Sequence, residues 1–354
     1  MPRIIAIAPV VPEHVIEQTT AAELVRSLFA GSFKDVDRLL PIFANTEIDR
    51  RYSCMPPEWF KHNHSFAEKN KLYFTHALQL CEKAIRQLLA RVEVAPERID
   101  HIFFISTTGI ATPSLDAHLL NRLHLAPHIL RTPIWGLGCA GGVAGIARAT
   151  DWLKAYPEKT ALVVAVELCS LTFIRDDISK SNFVATSLFG DGAAAVLLAG
   201  DQNKLRQRRM LGVTASASIT WQDSLDVMGW EINHHGLKVL FSRDIPTIVN
   251  QLARPAVLEF LAQQGVALAD IAACVSHPGG AKVIRAYEAA LELVPAQTQH
   301  MWSVLRNFGN MSSVTILFVL HEFMQSPEFR SGAMTFSSTL GPGFTSEMFL
   351  GAGL

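Results

Sequence analysis

Unbroken apolar runs are the feature that most narrows what this chain can fold into. Ile102-Phe103-Phe104-Ile105 and Ala161-Leu162-Val163-Val164-Ala165-Val166 contain no polar residue. Successive side chains of a strand point to opposite faces, so such runs fit a sheet that is covered on both sides. Helical periodicity between the runs supplies the cover. In the first part the pattern predicts strands near 3–8, 101–106, 132–137, 161–167 and 192–199, and helices through 20–30, 67–93, 114–123 and 140–154. The polar stretch from Asp201 to Arg209 reads as a solvated connector. After it come expected strands at 211–219, 271–276, 333–338 and 345–350, with helices at 245–264, 280–293 and 312–324. The expected class is α/β, layered, in two similar halves divided as 1–205 and 206–354. In this reading a strand leads through a junction into a helix at Cys139, and the same order recurs at His277.

The chain has 354 residues, 49% of them hydrophobic and 18% charged, enough to bury a large core and too apolar for disorder. A formal net charge of -1 gives no electrostatic ground for a nucleic acid or an anionic membrane surface as partner. The five cysteines (54, 81, 139, 169 and 274) are odd in number and fit no paired zinc spacing, which suits a reducing cytoplasm. The apolar stretch Ile4–Ala8 is too short for a signal-peptide core, and no run reaches the ~18 apolar residues of a membrane helix. His62, His64, His234 and His235 lack acidic or thiol partners at ligand spacing, so neither a metal nor a cofactor is expected.

Three polar residues stand at the mouths of regular elements. Cys139 lies in Trp135-Gly136-Leu137-Gly138-Cys139-Ala140-Gly141-Gly142, at the expected start of a helix. Unpaired N–H groups and the positive helix end would favour its thiolate. His277 follows the apolar run Ile271–Val275 in His277-Pro278-Gly279-Gly280, and Asn310 lies in Asn307-Phe308-Gly309-Asn310-Met311-Ser312-Ser313. Singly, each has a structural reading: a small apolar side chain, a core imidazole, a helix cap. Together, on loops held by rigid elements, they point to nucleophilic catalysis.

These segments resemble the type III polyketide synthases, the chalcone synthase-like branch of the thiolase superfamily. Gly138-Cys139-Ala140-Gly141-Gly142, His277-Pro278-Gly279-Gly280 and Gly309-Asn310-Met311-Ser312-Ser313 are similar to its three catalytic segments. Leu188-Phe189-Gly190-Asp191-Gly192-Ala193 resembles its gatekeeper motif, and Leu340-Gly341-Pro342-Gly343-Phe344-Thr345 its Gly-Pro-Gly loop. The resemblance implies a thiolase-like fold of α-β-α-β-α layers and a homodimer. It also implies iterative decarboxylative condensation of malonyl-CoA onto an acyl-CoA starter. Cys139 would carry the acyl group, paired as thiolate with His277, while His277 and Asn310 would donate hydrogen bonds to the malonyl thioester oxygen.

The same resemblance places Phe189, Thr107, Thr112, Cys169, Thr172, Trp230 and Val239 at the substrate pocket. Thr112 and Val239 are smaller than the residues of plant members, and Trp230 larger. That pattern looks like bacterial members that take medium or long fatty acyl starters and release alkylpyrones or alkylresorcinols. Arg50 and Arg51, in the segment before the long helix, are the matching candidates for CoA phosphate.

Other readings compete. A papain-like cysteine protease also orders Cys, His and Asn, but its Cys-Gly-Ser/Ala-Cys signature is missing here. A chain-initiating β-ketoacyl synthase shares fold and triad, yet the Phe-Gly-Asp-Gly and Gly-Pro-Gly motifs favour the iterative enzyme. A non-catalytic acyl-CoA-binding scaffold would usually lack one of the three polar residues.

Overall fold

The computed structural model describes residues 1–29, 36–241 and 245–354. Its strands run in chain order as β1 Arg3–Val10, β2 His14–Glu17, β3 Arg50–Ser53, β4 His101–Ile105, β5 Leu130–Ile134, β6 Thr160–Leu168 and β7 Asp191–Ala199. They continue as β8 Leu211–Thr220, β9 Met228–Asn233, β10 Gly236–Phe241, β11 Ile271–Cys274, β12 Met334–Gly341 and β13 Thr345–Gly353. Nine of them are joined in the order β11-β12-β13-β8-β1-β7-β6-β4-β5. At the centre, β1 and β8 share only the pairs Arg3–Gly212 and Ile4–Leu211 before they part, so the sheet divides into two half-sheets.

The halves repeat one plan. β1, β7 and β6 are antiparallel neighbours and β6 is parallel to β4; likewise β8, β13 and β12 are antiparallel neighbours and β12 is parallel to β11. By this match β11 corresponds to β4. The counterpart of His277 is therefore the Ser106–Thr108 end of β4. The junction equivalent to Cys139 is the turn before the helix Thr315–Gln325. The expected order of strand, junction and helix recurs at Cys139 and at His277, while strand order, invisible in the linear pattern, decides which junctions correspond.

Two helices form the middle layer. Gly141–Ala155 packs on β6 and β4 of the first half and on β13, β12 and β8 of the second, and Thr315–Gln325 packs on β1, β7 and its companion helix. The apolar runs explain why this works. Ala161, Val163 and Ala165 face the central helices with Val143 and Ile146, whereas Leu162, Val164 and Val166 face the outer helix Phe66–Val92 with Ile85 and Leu88. A capping box of Ser65 and Glu68 starts that outer helix. Helices Arg254–Gln263, Ala281–Ala290 and Pro295–Phe308 supply the outer layer of the second half. The result is the expected sequence of five layers.

Several elements were not anticipated: the hairpin β9–β10, the pair β2–β3, and the helices Lys180–Leu188 and Pro295–Phe308. The first expected helix occupies Gln18–Phe29, and residue 30 of that expectation lies outside the described residues. No helix among the described residues is long and apolar enough to cross a membrane.

One ion pair clamps the halves together. Arg148 of a central helix makes two parallel contacts to the buried Glu347 carboxylate on β13, at 2.7 and 2.9 Å, and the Ser218 hydroxyl donates to the same group at 2.9 Å. Truncating Arg148 would strand a buried carboxylate. Arg148→Ala is expected to lower stability by about 2–3 kcal/mol in urea denaturation, and an Arg148→Met/Glu347→Gln pair by less.

Candidate active site

Cys139 sits in the single 3-10 turn Gly138–Ala140 that leads into the central helix, and it keeps partial solvent access. The next turn has no room for a side chain. A Cβ on Gly142 would lie 2.3 Å from the Ser313 carbonyl oxygen and 2.5 Å from Ile316, so the entrances of the two central helices touch. That contact brings the thiol to the second half of the molecule. The Cys139 Sγ is 3.6 Å from the Ser312 Oγ, the Ser312 N–H donates to the Asn310 Oδ1 at 2.8 Å, and the Asn310 Nδ2 donates to the Gly279 carbonyl at 3.0 Å. Gly279 in turn donates to the His277 carbonyl at 3.0 Å, and the His277 N–H is held by Ser338 on β12. Cysteine, carboxamide and the imidazole-bearing loop are thus joined by one short relay of contacts.

Desolvation dominates the electrostatics. Burial pushes the His277 imidazole down to about 3, and neither ring nitrogen has a hydrogen-bond partner among the described residues. Burial pushes the Cys139 thiol up to about 12; the Ser312 hydroxyl opposes this and the Glu167 charge adds to it. A helix end is worth about 1 kcal/mol, less than one pKa step, and cannot offset desolvation on this scale. Burial thus works against the thiolate–imidazolium pair that the resemblance implies, and the sulfur's hydrogen bond goes to Ser312.

Glu167 lies close to Cys139, near enough for its charge to act on the thiol. Its buried carboxyl accepts from the Thr107 N–H at 3.0 Å, the Thr108 hydroxyl at 2.8 Å and the Ser313 hydroxyl at 2.6 Å. Burial raises it to about 7 despite those donors. Thr107, expected at the pocket, is a brace instead: its hydroxyl accepts from the Gly138 N–H at 3.2 Å. Glu167, Ser312 and Ser313 were not singled out by sequence. Ser312 and Ser313 had a signal, their place beside Asn310, whereas Glu167 sits in an apolar strand with none beyond being its one charge.

Phe189, Cys169, Thr172 and Val239 line one cavity, together with Leu24, Val25, Leu28, Phe60 and Phe173, and it opens partly to solvent. Ala21, Leu24, Val25 and Leu28 fall on one helical face, which sequence alone would assign to core. Trp230 stands outside this lining; it pairs with Val239 across the hairpin and its ring centre is 6.1 Å from that of Phe189. Thr112 is exposed and takes no part in the cavity. Arg51 is also a correction. Its guanidinium is buried and donates to the carbonyls of Thr186 and Phe189, so it is not offered to a phosphate. Arg50, next along the strand, points outward and donates to the Asn307 side chain at 3.1 Å.

Comparison with known proteins agrees with this geometry. Residues 2–202 match the sequence profile of chalcone and stilbene synthases, N-terminal domain, and residues 214–353 that of the C-terminal domain. The chain belongs to the chalcone and stilbene synthase family. A putative chalcone synthase of Bacillus subtilis is 42% identical, over 98% of this chain and 97% of its own. An alpha-pyrone synthesis polyketide synthase-like protein, Pks18, of Mycobacterium tuberculosis is 30% identical over 96% and 88%. The crystal structure of 1,3,6,8-tetrahydroxynaphthalene synthase from Streptomyces coelicolor, a bacterial type III polyketide synthase, superposes with a TM-score of 0.93 at 29% identity, covering 99% of each chain. This type III polyketide synthase is accordingly a condensing acyltransferase with the thiolase-like fold.

Two outcomes follow from the site's construction. Gly142→Ala should push the helix entrances apart and cost at least about tenfold in condensing rate, measured as product formed per folded protein. Glu167 binds its proton more tightly folded than unfolded, so its contribution to stability is complete below about pH 4.5 and lost as pH rises through about 7. Urea midpoints compared at pH 5 and pH 8 should fall less for Glu167→Gln than for the wild type.

Proposed function

We propose that Cys139, His277 and Asn310 carry iterative condensation of malonyl-CoA onto a medium or long fatty acyl starter, released as triketide or tetraketide pyrones or resorcinols. The observation that supports the starter class is the apolar cavity between Cys169 and Phe173, with Leu24, Val25 and Leu28 along one wall. Hydrocarbon gains about 0.8 kcal/mol for each methylene it buries in such a site.

The cycle starts from the neutral thiol and imidazole that burial favours. Cys139 attacks the starter thioester as its proton passes to the neutral imidazole of His277, and the CoA thiolate leaves with that proton. Malonyl-CoA then loses carbon dioxide. The electron pair left behind spreads onto the thioester oxygen, where His277 and the Asn310 Nδ2 donate hydrogen bonds. One Nδ2 hydrogen is held by Gly279, which aims the other. The carbanion attacks the Cys139 thioester and expels the cysteine sulfur, which leaves the extended chain as a CoA thioester; that thioester acylates Cys139 again, with loss of CoA, for the next round. Acyl-CoA and malonyl-CoA are the substrates and no cofactor is required. Arg50 is retained as a CoA contact at the surface, and Arg51 is not.

We further propose a homodimer. β5 is an edge strand that leaves Leu130 and Trp135 exposed, with Ile110 nearby in sequence to the end of β4. An open apolar edge favours pairing with a second copy. Sedimentation of the wild type should report a dimer, and Leu130→Glu a monomer. The five free cysteines fit a cytoplasmic setting.

Mass spectrometry of products from a panel of acyl-CoA starters tests the substrate reading. Fatty acyl starters should be extended. Leu24→Trp should abolish the long ones while sparing short ones. Exclusive use of 4-coumaroyl-CoA would overturn it. Carbon dioxide release from malonyl-CoA should fall about 100-fold or more in His277→Ala and in Asn310→Ala.

A further inference from the structure

We propose that Arg51 is a positioning residue whose guanidinium fixes the cavity wall at Phe189 and the aim of the Asn310 carboxamide together; this rests on the reading of Asn310 as a donor to the thioester oxygen. Arg51 is 4% exposed and lines the cavity. Its Nη1 donates to the carbonyl of Thr186 and, at 3.2 Å, to that of Phe189. Those two carbonyls end the helix Lys180–Leu188, where the backbone lacks intrahelical donors and a cation is favoured.

The segment so held is bonded directly to the catalytic loop. The Asn310 N–H donates to the Leu188 carbonyl at 2.8 Å, and the Gly190 N–H returns a bond to the Asn310 carbonyl at 3.0 Å. Gly309, at φ +68°, leaves no slack on the other side: a Cβ there would lie 2.8 Å from the Leu188 oxygen and 3.5 Å from the Arg51 Cβ. Asp191, next in the chain, is bound to the Cys54 N–H and to Ser170, and its charge opposes the desolvation of the guanidinium. A shift at Arg51 therefore moves Phe189 and Asn310 as one body.

Arg51→Lys keeps the charge but not the planar fork. The test measures decarboxylation and condensation per acylatable Cys139, the KM for each CoA thioester, and the products. The expected result is a rate per acylatable site lower by roughly tenfold, KM values unchanged within about twofold, and products shifted towards earlier release. Gly309→Ala, which presses on Leu188 from the opposite side, should give the same signature. Raised KM with unchanged rate would mark Arg51 as a CoA contact and overturn the proposal. So would unchanged rate and products per acylatable site, or failure of both variants to fold, since those outcomes describe a structural residue only. A wild type that releases no carbon dioxide would instead overturn the functional reading.

Discussion

The touch between Gly142 and the backbone of Ser313 makes a single site out of two half-molecules. Cys139 belongs to the first half and Asn310 to the second, and each stands one turn before a central helix. Only because position 142 carries no side chain can those turns meet, with 2.3 Å between an imagined Cβ and the facing carbonyl. Everything downstream inherits that closeness: the sulfur's contact with Ser312, the clamp on the carboxamide, and the tie to the histidine loop.

Dryness is the second constraint. The thiol, the imidazole and Glu167 are all shifted towards their neutral forms by burial. A neutral pair suits a catalyst that must move a proton during acyl transfer and then present donors to a developing anion. Charge appears only when substrate supplies it, in a medium where aimed hydrogen bonds are strong.

Much of this was legible in the linear chain, and the failures have physical reasons. The apolar runs announced a two-sided sheet, and the glycine-flanked Cys, His and Asn announced the chemistry, since each lies where a regular element opens. Arg50 and Arg51 looked equivalent as neighbours in the segment before the long helix. In a strand, adjacent side chains face opposite ways, so one is solvated and the other sealed under Phe189. Leu24, Val25 and Leu28 follow the helical spacing of an ordinary core face, and nothing local distinguishes a face that meets a void from one that meets another helix. Thr112 was placed by resemblance alone, and in a single chain it lies on the surface.

The central helix Gly141–Ala155 packs on both half-sheets at once, and Arg148 to Glu347 bolts it across the divide. A molecule layered in this way has no hinge about which its halves could swing. Starter, extender and product would then pass through a frame held rigid at its centre. A half-built chain passing between CoA and the cysteine sulfur would then stay in the pocket until it reacts again or cyclises, since no domain opening sheds it.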